Sequence, residues 1–293
     1  MKRSRLKRYI FPLFGDKSIS AVTHTDIIET ILKIQHEGHI EAGLRTKQVV
    51  SQVFQYAIDT GIVDINPVHK IGPQALLKPQ KRHYRAIKDA KRLGELWAVL
   101  TSENALLEIG FIVQSALKFA LLTACRANEY RFATWGEIDW DEKLWRIPAE
   151  RMKPPHIKRS GLPHLVPLAR QPIELLQNIQ KITGSDPDNL IFTVKGSGKP
   201  LSDNTLNKGL KILGFHKDTV QHGFRQSFST FANEAGKPYP AIEMQLSHQV
   251  GSEVARAYNH AQYLDQRRDL MQWWADYPGQ PGGKIRKCPQ LNI

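Results

Sequence analysis

Residues 66–85 interrupt any regular element: Asn66-Pro67, Gly72-Pro73 and Lys78-Pro79 are followed at once by Lys81-Arg82-His83-Tyr84-Arg85. Proline and glycine at this density remove the backbone donors and the φ restraint on which helices and strands depend. The chain on either side must fold as separate units, and 293 residues suffice for two cores. The expected division is a helical domain over 1–75, a basic linker over 76–87, a larger domain over 88–277 and a flexible tail over 278–293. The tail is rich in proline, glycine and charge (Lys284-Ile285-Arg286-Lys287) and has too little apolar surface to build a core.

Residues 20–60 carry two helical stripes. Ile27, Ile28, Ile31 and Leu32 make the first, with Thr23 or Thr25 placed to cap its start. Val50, Val53, Phe54, Ala57 and Ile58 make the second, after Gly38 and Gly43, and Gly61 stands where a helix end favours positive φ. The first fifteen residues read as the end of a further helix, closed by Pro12 and Gly15.

Past the linker, Leu93, Leu96, Trp97 and Leu100 mark one helix, and Ile109, Ile112, Val113, Ala116, Ala120 and Leu121 a longer apolar one. The period then changes to two. Ile138 and Trp140 alternate, Asp141-Glu142-Lys143 turns, Leu144 to Ile147 runs back, and Leu165 to Leu168 supplies a third strand. Lys153 falls on the exposed loop between the second and third strands. Helical patterns resume at about 171–182, 203–213, 224–235, 240–247 and 263–276. The fold class expected is mainly α with a small antiparallel sheet (α+β).

The charge points to a polyanion. The formal net charge is +13 and the sequence pI about 9.7. Residues 1–85 hold 14 Lys/Arg against 7 Asp/Glu, so basic charge is spread over both domains. Lys81, Arg82 and Arg85 either lie along a phosphate backbone or belong to a solvated hinge; the residues leave both readings open. No apolar run approaches the ~18 residues of a membrane span, and the basic start lacks a signal-peptide core. Cys125 and Cys288 form neither a disulfide framework nor a zinc motif. A cytoplasmic, nucleoid-associated protein is expected, with no membrane partner.

Two weak motifs fail on spacing. His36-Glu37-Gly38-His39 places its histidines three apart, where a zinc-protease helix needs four. Gly196-Ser197-Gly198-Lys199 lacks the upstream glycine of a phosphate loop, and Pro200 replaces its metal-binding hydroxyl. Six other residues combine better. Cleaving a phosphodiester without a metal requires a nucleophile, cationic donors on the non-bridging oxygens and an acid for the departing alkoxide. Arg126 and Arg225, at separate helix ends, have the planar fork for two phosphate oxygens. His222 and His248 add donors and can move a proton, Lys153 can serve as general acid, and Tyr258 can supply the attacking oxygen. Removing one such donor typically costs about 3–4 kcal/mol, so four of them supply much of an enzymatic barrier reduction. Taken singly, each is more often a surface charge or a half-buried core tyrosine.

Their order resembles that of the tyrosine recombinases, specifically prophage-type integrases, from about Tyr9 to Tyr277. The family pattern is an arginine with an acid three residues on, a strand-loop lysine, His-x-x-Arg, a His or Trp, and a tyrosine some ten residues later. Here these are Arg126 with Glu129, Lys153, His222 with Arg225, His248 and Tyr258; Tyr239 and Tyr263 have the wrong offset. The resemblance implies a helical core-binding domain and a catalytic domain closing as a C-shaped clamp on double-stranded DNA. It further implies a 3′-phosphotyrosyl intermediate at Tyr258, Glu129 in support, no metal, no ATP, no cofactor, tetramers on DNA and accessory DNA-bending proteins. Ala124 and Asn128 stand where the family commonly has glycine. The arm-binding domain and fuller first helix usual in such integrases have no counterpart here, so a truncated prophage remnant or an expressed fragment is expected, able to keep cleavage chemistry while regulated integration fails. Two other readings compete: a tyrosine-dependent topoisomerase, disfavoured by the long helical C-terminal region, and a DNA-binding remnant without activity, disfavoured by Tyr258.

Overall fold

A computed structural model describes residues 2–79, 84–193, 197–248 and 263–277. Tyr258, Lys81, Arg82 and the expected tail lie outside the described residues. The chain divides into two compact units, Met1–His83 and Tyr84–Ile293.

In the first unit α1 (Lys2–Arg5) and α2 (Phe11–Phe14) flank a π-helical turn, Leu6–Ile10. Helix α3 (His24–His36) starts at Thr23 rather than Thr25. The Thr23 hydroxyl accepts from the Asp26 backbone N–H at 3.2 Å, and Asp26 Oδ2 accepts from the Thr23 N–H at 2.9 Å. Helix α4 (Ile40–Asp59) begins earlier than its apolar stripe suggested and contains Gly43 in its interior. A Cβ at Gly43 would lie 2.8 Å from Gln35 Cγ and 3.2 Å from the Ile31 carbonyl oxygen. That glycine is a closest-approach point against α3, not a break. The core gathers Ile27 and Ile31 with Val50 and Phe54, capped by Val68, Ile71 and Leu76 from the segment beyond α4.

The second unit is built around α7 (Phe111–Thr123), buried along nearly its whole length. Ahead of it run α5 (Ala90–Thr101) and α6 (Glu103–Ile109). The single apolar helix expected there is two, because Gly110 adopts φ 75° and turns the chain by 115°. Among the described residues no single helix is long and apolar enough to cross a membrane.

After α8 (Ala127–Arg131) come β1 (Ile138–Asp139), β2 (Leu144–Ile147) and β3 (His164–Pro167). They form an antiparallel sheet in the order β1-β2-β3, with Ile138 opposite Trp145 and Ile147 opposite His164. The stretch before β3, expected as loop, holds the short helix α9 (Pro155–Ser160), opened by Pro155 and closed by Gly161 at φ 67°. Among the described residues five helices follow: α10 (Arg170–Thr183), α11 (Thr205–Ile212), α12 (Gly223–Glu234), α13 (Tyr239–Gln245) and α14 (Leu264–Asp276).

Aromatic side chains join these layers. Phe119 of α7 meets Trp145 of β2 and Phe192 with ring centroids 5.3 and 5.2 Å away. Trp274 of α14 packs on Phe228 and donates its indole N–H to the Leu121 carbonyl at 2.8 Å. Each such buried ring contributes roughly 2–3 kcal/mol of transfer free energy. The product is a mainly α fold with one small antiparallel sheet, as the periodicities indicate.

Candidate active site

The tight end of α7 creates the first half of the site. Ala124 sits left-handed, φ 52° and ψ 27°, so the chain leaves the helix sharply and Arg126 becomes the N-cap of α8. Left-handed alanine costs about 1–2 kcal/mol, offset in part by burying its methyl at roughly 0.8 kcal/mol. The glycine expected at this position is thus replaceable. Asn128, by contrast, lies within α8 and accepts from Arg131 Nη1 at 2.9 Å, so its left-handed tolerance is not used.

Glu129 explains the three-residue spacing from Arg126. One carboxylate oxygen accepts from the Arg126 backbone N–H at 2.6 Å, which caps α8, and the other accepts from Arg126 Nη1 at 3.0 Å. Arg126 also donates to the Ser247 hydroxyl and, through Nη2, to the Leu246 carbonyl at 3.2 Å. Arg225, in the first turn of α12, is buried; its Nη1 donates to the Ala124 carbonyl at 2.7 Å and its Nη2 to the Leu246 carbonyl at 2.7 Å. Two guanidinium groups therefore share one carbonyl oxygen. Burial first, then the neighbouring Arg126 charge, brings the Arg225 pKa down to about 10, which still leaves it charged at neutral pH. Two like charges about 6 Å apart repel by roughly 3 kcal/mol at an effective dielectric near 20.

His222 stands at the N-cap position of α12 without a side-chain cap bond and is exposed, with only part of its ring packed against protein. Burial, then Arg225, Arg126 and Lys153, pushes its imidazole below the usual histidine value, so it is neutral at neutral pH and able to accept a proton. Tyr84 meets it edge-on at 4.6 Å. The backbone before α12 has little room: a Cβ on Gly223 would lie 2.0 Å from the Arg85 carbonyl oxygen and 2.7 Å from Thr219 Oγ1. Gly223→Ala is expected to push residues 84–85 off this turn and destabilise the unit by about 2 kcal/mol or more. A urea midpoint equal to that of the unsubstituted protein would contradict this.

Lys153 is exposed on its inter-strand loop, and its charge adds to the lowering at His222. The stem of that loop is held by Arg151, which clasps both carboxylate oxygens of Glu137, while Trp145 Nε1 donates to Glu137 at 2.8 Å. His248 follows the left-handed Ser247 and shares a 3.0 Å hydrogen bond between Nδ1 and Glu243. The structure thus unites Arg126, Glu129, Arg225 and Ser247 by hydrogen bonds, with His222 three residues ahead of Arg225 and His248 next to Ser247 in the chain; Lys153 connects to them through its charge on His222. Arg85 contributes its carbonyl, which accepts from Val220 N at 3.4 Å, while its side chain is exposed. Ser247, Gln245 and Arg267 carried no sequence signal, since their partners lie elsewhere in the chain.

His164 in β3 is buried beside this cluster. Burial, then Arg267, with Arg225 and Arg126 further off, pushes its pKa well below the ordinary 6.5. Below that value the unfolded chain takes up a proton that the fold refuses. Stability should therefore fall from about pH 7 to pH 5, with a slope approaching 1.4 kcal/mol per pH unit. Urea unfolding across this range measures it, and His164→Gln should flatten the curve; an unchanged slope would assign the loss to other groups.

Residues 102–264 match the phage integrase family, and residues 2–74 match the phage integrase central domain. The chain belongs to the phage integrase family. It is 35% identical to the integrase of Enterobacteria phage P4, over 94% of this chain and 64% of that protein. It is 34% identical to prophage integrase IntA of Escherichia coli K12, over 92% of this chain and 62% of that one. The chain thus spans slightly under two thirds of each. Among solved structures, a lambda integrase tetramer bound to a Holliday junction superposes with a TM-score of 0.60 at 15% identity, over 88% of this chain and 70% of that one. The Tn1549 transposon integrase in complex with circular intermediate DNA gives 0.59 at 17%, over 92% and 91%. Both likenesses are of fold.

Proposed function

We propose that this integrase-family chain is a site-specific DNA recombinase that breaks and rejoins strands through Tyr258. The observation that carries this is the pair of guanidinium groups, Arg126 and Arg225, converging on the Leu246 carbonyl. Each has N–H donors beyond those it already uses. Their mutual repulsion is relieved when an anion with two or more acceptor oxygens enters between them. A phosphodiester fits that description.

In the reaction Tyr258 Oη attacks phosphorus and the bond to the 5′ oxygen breaks. Arg126 and Arg225 hold the non-bridging oxygens as charge shifts. His222 takes the phenol proton, Lys153 protonates the departing 5′ oxygen, and His248, oriented by Glu243, donates to the phosphate. The product is a 3′-phosphotyrosyl ester and a free 5′-hydroxyl. A hydroxyl from a partner duplex reverses the step and reseals the strand in exchanged form, so one ester replaces another without ATP. Lys81, Arg82 and Arg85 contact the DNA backbone, tetramers assemble on DNA with accessory DNA-bending proteins, and the protein resides at the nucleoid.

A nicked duplex that releases a short 5′-hydroxyl fragment tests the reading. The protein should become covalently attached to the DNA in the presence of EDTA. Absence of an adduct on every duplex carrying the element's own junction sequence would refute it.

A further inference from the structure

The two carbonyls that hold Arg225 belong to Ala124 and Leu246, whose chain neighbours Thr123 and Gln245 are bonded to each other. Gln245 is the last residue of α13 and is 1% exposed. Its Nε2 donates to the Thr123 carbonyl at 3.0 Å. Its Oε1 accepts from Arg267 of α14 twice, from Nη2 at 2.9 Å and from Nε at 3.3 Å. Arg267, also 1% exposed, donates as well to the Leu165 carbonyl of β3. The amide therefore ties the end of α7 to the end of α13 and is itself held from α14.

We propose that Gln245, fixed by Arg267, is a positioning residue: it locks the Ala124 and Leu246 carbonyls that aim Arg126 and Arg225 at the phosphate. Stability alone does not account for this arrangement. Among the described residues no carboxylate pairs with Arg267, and its charge rests on neutral acceptors. A buried charge held only by neutral acceptors carries a desolvation cost that its hydrogen bonds offset in part. What the network supplies is direction. Thr123 and Ala124 are consecutive, as are Gln245 and Leu246, so fixing the Thr123 carbonyl and the Gln245 side chain restrains the residue after each. Bonds to Leu246 set the angle between the two forks. A misplacement of about 1 Å in such a constellation costs on the order of 100-fold in rate.

The kinetic arm of the test rests on the cleavage reading above; a footprint on the free protein does not. Gln245→Met keeps the length of the side chain and removes all three bonds. Gln245→Glu keeps an oxygen for Arg267 but turns a second acceptor toward the Thr123 carbonyl, which secures a folded variant if the first fails. Phenylglyoxal modification is read at each arginine by mass spectrometry. In either variant Arg126 and Arg225 should react several-fold faster, while Arg92 and Arg146 stay unchanged. Cleavage of the nicked duplex should slow by about tenfold or more at saturating DNA. On a methylphosphonate at the scissile position, which lacks the anionic oxygen that the arginines serve, the defect should shrink markedly.

Uniformly raised reactivity, with equal slowing on both substrates, would make the network general core packing and overturn the proposal. Unchanged footprints and rates in a folded variant would overturn it as well. If the unsubstituted protein forms no adduct, the cleavage reading fails and the footprint alone decides this one.

Discussion

Tyr258→Phe is expected to leave DNA binding intact and to eliminate the covalent adduct. The change deletes one oxygen and keeps the ring. Loss of a nucleophile that acts as a unit with its partners removes on the order of 10⁴–10⁶ in rate. Affinity, by contrast, comes from many phosphate contacts along the duplex. Denaturing gels report the adduct and mobility shifts the binding. Tyr239, exposed at the start of α13, and Tyr263, left-handed ahead of α14, provide the controls. Phenylalanine at either position should leave the adduct in place. An adduct that survives Tyr258→Phe would move the nucleophile elsewhere.

Arg225→Ala and Arg126→Ala should each lower the cleavage rate by about 10²–10³ at saturating DNA, the usual effect of removing one preorganised donor. The dissociation constant should change far less, because one phosphate contact is a small fraction of the total. The two substitutions differ in their structural effect. Arg225 is buried and its loss leaves the Ala124 and Leu246 carbonyls without those donors, so thermal melts must accompany the kinetics. Arg225→Lys separates charge from geometry: the ammonium keeps the charge but cannot reach both carbonyls as the planar fork does. It should therefore remain slow. Equal losses in rate and affinity for both arginines would recast them as ordinary backbone contacts.

Much of this architecture could be read along the chain because its causes are local. The Thr23 cap, the Gly61 helix end at φ 71° and the switch from a period of 3.6 to a period of two near Ile138 each arise from neighbouring residues. The Arg126–Glu129 spacing belongs to the same class, since an N-cap and the third residue of its helix meet by geometry alone. Where expectation and structure part, the reason is a contact across the fold or a single backbone angle. Gly43 stood as a break and is a helix-interior contact point, because what it touches is Gln35 on another helix. Gly110 stood inside one apolar helix and divides two, because its positive φ is compatible with the same apolar pattern.

The sequence by itself determined the two-part organisation, the mainly helical fold with its small sheet, the basic charge and the ordered set Arg126, Lys153, His222, Arg225, His248 and Tyr258. These depend on periodicity, turn chemistry and spacing. Only the tertiary structure decided that Arg126 and Arg225 share the Leu246 carbonyl, that Ser247 joins them, and that Gln245 and Arg267 brace the arrangement from behind. Those bonds link positions as much as 122 residues apart, and no local pattern marks a partner that only packing brings near.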